Sequence, residues 1–81
     1  MVDLNINTFG VLKDFFSESF ILKVKLPVTV QEIVDLLIDL EPEAKKTLLV
    51  SRIAIHENLV ALDYKIEDIS DVYLLPPSSG G

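Results

Sequence analysis

No cysteine occurs among the 81 residues, so a disulfide framework, a thiolate nucleophile and a cysteine-bound metal are all excluded. A small chain without such staples relies on its packed core, and the absence fits an intracellular, cytoplasmic address. Histidine is almost as scarce: His56 stands alone, with no cysteine to activate and no second imidazole with which to share a metal, and beside a tight turn its expected role is structural. Basic residues are few, 7 Lys and Arg against 13 Asp and Glu, for a formal net charge of −6. That balance removes the counterion release that drives binding to phosphate backbones, so no nucleic-acid partner is expected. Long apolar runs are missing as well. The stretch Leu59 to Leu62 has four residues, far short of the roughly 20 needed to span a bilayer, and no membrane partner is expected. Met1-Val2-Asp3-Leu4 has neither a basic n-region nor an apolar h-region, so no secretory signal is expected. Asp63, Glu67, Asp68 and Asp71 lack the ligand alternation and central glycine of a calcium loop, which leaves a solvated acidic turn and no metal site.

What is present is a hydrophobic content of 49%, enough to exclude a disordered tail. One domain of this size buries roughly 60–65% of its unfolded surface, leaving little core for a deep private pocket, and a self-contained small-molecule enzyme is not expected. Val2, Leu4 and Ile6 alternate with Asp3, Asn5 and Asn7, the period of a strand with one buried face. Val11 to Phe16 reads as a short helical turn. Phe20, Leu22, Val24 and Leu26 then alternate with Lys23 and Lys25 in a second strand, antiparallel to the first and stopped by Pro27. Thr29-Val30-Gln31-Glu32 is a capping-box pattern that starts a helix at Val30. The spacing of Ile33, Leu36, Leu37 and Leu40 predicts its buried stripe. After Pro42, residues Glu43 to Leu49 form a loose turn or a second short helix. Arg52 to His56 predicts a strand with Ile53 and Ile55 inward, a turn at Glu57-Asn58, and a short strand from Leu59 to Leu62. Ile66 and Ile69 are the expected anchors of the polar stretch that follows. Val72 to Leu75 is a last strand, apolar on both sides and ended by Pro76-Pro77. The order strand, strand, helix, strand, strand, strand describes an α+β roll in which one main helix covers one face of a mixed sheet.

The most informative segment is Pro76-Pro77-Ser78-Ser79-Gly80-Gly81, because two of the chain's three glycines stand at its last two positions. With glycine near 7% of average composition, such a pair arises by accident about once in 200 chains. Six extended residues reach roughly 20 Å, and prolines keep their first part from folding back. Glycines at the tip let a backbone thread a narrow channel and leave the carboxylate unhindered. A free carboxylate is a poor electrophile, so the chemistry this tail suggests begins with activation, as a mixed anhydride with AMP, by a separate enzyme.

Phe9-Gly10-Val11-Leu12-Lys13-Asp14, Asn58-Leu59-Val60 and above all Leu74-Leu75-Pro76-Pro77-Ser78-Ser79-Gly80-Gly81 resemble MoaD, the small sulfur-carrier subunit of molybdopterin synthase, within the ubiquitin-like MoaD/ThiS family. The likeness covers the whole chain, and the diproline places it nearer MoaD than the thiamin carrier ThiS. It implies a β-grasp domain over residues 1–75 and an extended tail over 76–81. It further implies that an E1-like adenylyltransferase uses ATP to adenylate the Gly81 carboxylate. A sulfur donor such as a cysteine desulfurase or rhodanese system then yields a thiocarboxylate. Pro76, Pro77, Ser78, Ser79 and Gly80 would thread into a MoaE-like large subunit, in a heterotetramer, where sulfur passes to cyclic pyranopterin monophosphate. Catalytic side chains are expected on that subunit, and no cofactor on this chain. Strand alternation adds a docking face: if Val72 and Leu74 face the helix, Tyr73 and Leu75 face outward and join Leu59 in an apolar patch. Ordinary surface scatter, or cover by Glu43 to Leu49, is the alternative for that patch. For the chain as a whole, the alternative is a ubiquitin-like conjugation or interaction module, or a carrier for thiamin synthesis or tRNA thiolation.

Overall fold

The computed structural model describes residues 1–77. Strand β1 (Val2–Thr8) pairs antiparallel with β2 (Ser19–Val24), and the register sets Leu4 opposite Leu22 and Ile6 opposite Phe20. Opposed residues share a face, so the two alternating apolar sets point to one side. β2 stops at Val24, two residues before the strand expected from the sequence ends. Between the two strands a 3-10 turn, Gly10–Asp14, drops Leu12 into the core.

Helix α1 (Val30–Leu40) begins where the capping pattern places it, with the Glu32 amide donating to Thr29 Oγ1 at 3.1 Å. Its other early amides are taken up by the chain after the hairpin: Val30 N–H donates to the Tyr64 carbonyl and Gln31 N–H to the Leu62 carbonyl. The buried residues are Val30, Ile33, Val34 and Leu37, whereas Leu36 and Leu40 are 39% and 57% exposed. The expected stripe therefore holds at Ile33 and Leu37 and fails at Leu36 and Leu40. A 3-10 turn at Pro42–Ala44 leads into α2 (Lys45–Val50), the second short helix, which buries Leu48.

Strands β4 (Arg52–Ile55) and β5 (Asn58–Val60) form a hairpin in which Ile55 opposes Asn58. The two turn residues are thus His56 and Glu57, one position before the expected turn, with φ of 53° and 66°. Two left-handed residues make the type I′ turn, whose twist matches that of the flanking strands. β5 ends at Val60 rather than Leu62: the Ala61 carbonyl accepts from the Tyr64 amide in a turn, and the Leu62 carbonyl accepts from the Gln31 amide at the start of α1. Two-residue strands β3 (Val28–Thr29) and β6 (Lys65–Ile66) pair antiparallel.

The last strand, β7 (Asp71–Leu75), lies at the centre of a five-stranded sheet of order β2-β1-β7-β4-β5, parallel to β1 and antiparallel to β4. Neighbours on both edges take up its backbone hydrogen bonds, while its apolar run serves two faces, Val72 and Leu74 inward and Tyr73 and Leu75 outward. Val72 and Leu74 are fully buried under α1, in a core that also holds Leu4, Ile6, Ile33, Leu37, Ile55 and Ile66. Each such side chain contributes roughly 1.5–3 kcal/mol by leaving water. Ile69 is 68% exposed and anchors nothing; the buried residue there is Ser70.

Candidate functional site

Opposite the helix, the sheet carries a row of cross-strand neighbours: Leu59 opposes Ala54, Ala54 opposes Tyr73, and Tyr73 opposes Asn7. Alternation along β7 puts Tyr73 and Leu75 on this outer face, each half-buried, and Leu59 beside them is 56% exposed. The three residues expected to form a patch do come together. They line one shallow groove of about 370 Å³ with Phe9, Ala54 and Glu57. Phe9 stacks on Tyr73, ring centroids 6.3 Å apart at 26°. Helix α2 does not line the groove and buries its Leu48 in the helix-side core instead.

Phe9, Ala54 and Glu57 are additions to the expected patch. Phe9 was recoverable from the pattern, since Leu4, Ile6 and Thr8 point inward and the next outward position after Asn5 and Asn7 is residue 9. Glu57 depends on the turn register, which shifts by one residue from the expected hairpin. It is the one acidic side chain on the groove's lining.

At the end of this face β7 gives way to Pro76 and Pro77, which leave the ladder because proline has no amide to donate. Ser78, Ser79, Gly80 and Gly81, expected as threading residues and reactive terminus, lie outside the described residues. Beside the root of the tail stands Gly10, whose φ is +55° and on which a Cβ would stand 3.1 Å from Pro76 Cγ.

His56 and Ser70 meet at the far end of the hairpin, with Nε2 and Oγ hydrogen-bonded at 3.2 Å. Ser70 Oγ–H donates to the Asp68 carbonyl at 3.0 Å, which uses its only proton, so the imidazole N–H is the donor to Oγ. A nitrogen that donates to a hydroxyl cannot serve as its general base in the same geometry. His56 ties the hairpin turn to the loop before β7, the structural role expected of it. Among the described residues no cluster of three metal-binding side chains occurs, and no helix is long and apolar enough to cross a membrane.

No protein-family model matches the sequence, and no curated protein matches it. Solved structures do. SAMP1 from Haloferax volcanii superposes with a TM-score of 0.84 at 19% identity, over 99% of this chain and 100% of that one. A Pyrococcus furiosus chain provisionally assigned as molybdopterin converting factor subunit 1 gives 0.84 at 14% identity, over 96% and 100%. A chain from the complex of subunits 1 and 2 of the Helicobacter pylori molybdopterin-converting factor gives 0.68 at 25% identity, over 99% and 100%. The chain has the β-grasp fold of the MoaD/ThiS ubiquitin-like proteins. In β-grasp terms, the groove occupies the sheet face left open by α1, and the tail root continues the central strand beside it.

Proposed function

We propose that the chain is a sulfur carrier that works as the small subunit of a molybdopterin synthase. The observation that carries the reading is one juxtaposition: the strand that ends in Pro76-Pro77 also supplies Tyr73 and Leu75 to the open apolar groove. Docking through that groove brings whatever follows Pro77 toward the partner that binds it. Support for a second-subunit partner comes from the Helicobacter pylori neighbour, which is part of a complex of two subunits.

In the proposed reaction Gly81 is the terminal residue. An oxygen of its carboxylate attacks the α-phosphorus of ATP on an E1-like adenylyltransferase, and pyrophosphate leaves. Hydrosulfide then attacks the acyl carbon, the bond from that carbon to the AMP oxygen breaks, and AMP departs. The product is a thiocarboxylate, formed without net oxidation or reduction. On a large subunit, that sulfur bonds to a carbon of cyclic pyranopterin monophosphate as an oxygen leaves that carbon, and water then cleaves the acyl carbon–sulfur bond and restores the Gly81 carboxylate. This chain contributes the terminal group and a surface that delivers it; its own side chains perform no bond-breaking step.

Intact mass spectrometry tests the reading after incubation with a MoaD-activating adenylyltransferase, ATP and hydrosulfide. The expected product gains the mass of one oxygen exchanged for one sulfur, and the variant lacking Gly80 and Gly81 gains nothing. A wild-type mass unchanged after authenticated MoaD has been converted in parallel would overturn it. A second reading is favoured by the likeness to small archaeal modifier protein 1, at 16% identity and a TM-score of 0.82: the tail is joined to a lysine of a target. A lysine-linked adduct, formed with ATP and without hydrosulfide, distinguishes that outcome.

A further inference from the structure

Strands β1 and β7 run parallel with a constant offset, Asn5 opposite Asp71 through Thr8 opposite Leu74. Continued by two residues beyond the ladder, that offset sets Gly10 against Pro76. The structure realises the pairing: a Cβ built on Gly10 would stand 3.1 Å from Pro76 Cγ, tighter than nine in ten real Cβ contacts. Gly10 also has a left-handed φ of +55°, a conformation that glycine adopts freely.

The surroundings decide which side must give way. Gly10 opens a 3-10 turn whose Leu12 is fully buried, whose Leu12 amide donates to the Phe9 carbonyl, and whose Leu12 carbonyl receives the Phe15 and Phe16 amides. On its other side Phe9 is stacked on Tyr73. The Gly10 turn is therefore fixed from both ends, whereas Pro76 lies past the last ladder residue, Leu75. The side expected to give, by a few tenths of an ångström, is the proline and not the turn.

We propose that Gly10 is a positioning residue for the tail: its bare Cα surface seats the Pro76 ring and so sets the direction in which the chain leaves the sheet toward a partner bound in the adjacent groove. The role in activation rests on the sulfur-carrier reading; the seat itself does not.

Two measurements separate them. Because the chain has no cysteine, Asp39→Cys and Ser79→Cys give a unique pair of spin-label sites, one on α1 and one in the tail. Gly10→Asn is the principal variant, since asparagine tolerates the left-handed region better than other side chains while still placing a Cβ against the ring. Its expected result is a shifted mean distance between the labels with the thermal midpoint kept near wild type. Gly10→Ala is expected to shift the distance similarly while losing more stability. Val11→Ala, at an exposed neighbour in the same turn, shifts nothing. In thiocarboxylate formation with the activating enzyme, Gly10→Asn should lower kcat about threefold, because the proline ring must give by a few tenths of an ångström and a misplacement of about 1 Å costs a reacting group about 100-fold. Its KM for the carrier should stay within about twofold, since groove docking is untouched. Adding Pro76→Ala removes the contacting ring atom, so the double variant should be no slower than Pro76→Ala alone.

An unchanged label distance in Gly10→Asn overturns the seat. A shifted distance with unchanged kcat overturns its role in activation, as do effects of Gly10→Asn and Pro76→Ala that simply multiply. If wild type is never activated, the carrier reading fails, and the label distances still decide the seat.

Discussion

The two faces of β7 differ in what holds their side chains. Val72 and Leu74 are fully buried against the core under α1, while Tyr73 and Leu75, one residue along in each case, line an open groove and touch protein on one side only. The helix-side pair is held by packing that serves the domain's own stability. The outer pair has apolar area still in water, which a partner can remove. One strand thereby joins the core to the tail and lines the open groove at the same time.

The strongest way to break this contrast is to truncate each face in turn. Leu74→Ala leaves a cavity in the core and should lower unfolding free energy by about 2–5 kcal/mol, read by chemical denaturation. Affinity for the partner, measured under conditions where the variant remains folded, should fall far less. On the outer face the large and small effects are exchanged. Leu59→Asp should alter stability by about 1 kcal/mol or less, because a half-exposed position loses little on unfolding. On the proposed reading it should weaken binding to a MoaE-like large subunit about 10- to 100-fold by calorimetry, the range of a charge placed in an apolar docking surface. Equal effects of both variants on binding would remove the distinction between the faces.

Most of this arrangement is legible in the chain, and the misses share a cause. Period-two alternation identifies β1, β2, β4 and β7 and assigns the outward side of Tyr73 and Leu75, because a strand's side chains have only two directions. The capping pattern finds the start of α1 because Thr29 acts locally. The rotation of that helix is different: Val30, Ile33, Val34 and Leu37 have the same spacing as Ile33, Leu36, Leu37 and Leu40, and only docking on sequence-distant strands shows that the first set is the buried one. Turn register fails for a related reason. Nothing in His56-Glu57 advertises two left-handed residues, a conformation usually marked by asparagine and glycine, and only pairing of Ile55 with Asn58 reveals it. Ile69 follows the apolar pattern and still faces solvent, since Ser70 takes the inward place through its bonds to His56 and Asp68. In the site, the apolar trio was readable from alternation, whereas the seat at Gly10 requires the parallel pairing of the first strand with the last.

That strained hairpin sharpens the comparison at its edge. Glu57 holds φ at 66° in the turn while its side chain lines the groove. Glu57→Gly relieves a left-handed conformation that costs an ordinary residue about 1–2 kcal/mol, offset in part by glycine's greater freedom when unfolded. The expected net gain is about 0.5–1 kcal/mol in denaturant unfolding. Binding should move the other way if the carboxylate meets a basic group on the partner, with a slower association at low salt. A variant no more stable would show that the left-handed φ at Glu57 carries no net strain, and one no slower to associate that its carboxylate meets no basic group on a partner.

The smallest effect is expected far from both faces' business, at the exposed pair Lys23 and Asp3. They stand opposite each other across β1 and β2, with Nζ and the carboxylate oxygen 3.2 Å apart. Both are mostly in water, where the Coulomb term is weak and holding a long lysine chain in place costs entropy. Lys23→Met should therefore change stability by no more than about 0.5 kcal/mol and leave partner affinity unaltered. Raising salt should shrink even that difference, since ions screen an exposed pair. A larger loss that persists in high salt would show that the β1–β2 edge is held by this contact rather than by the burial of Leu4, Ile6, Leu22 and Val24, and the contrast between core and surface drawn along β7 would not extend to the sheet's edge.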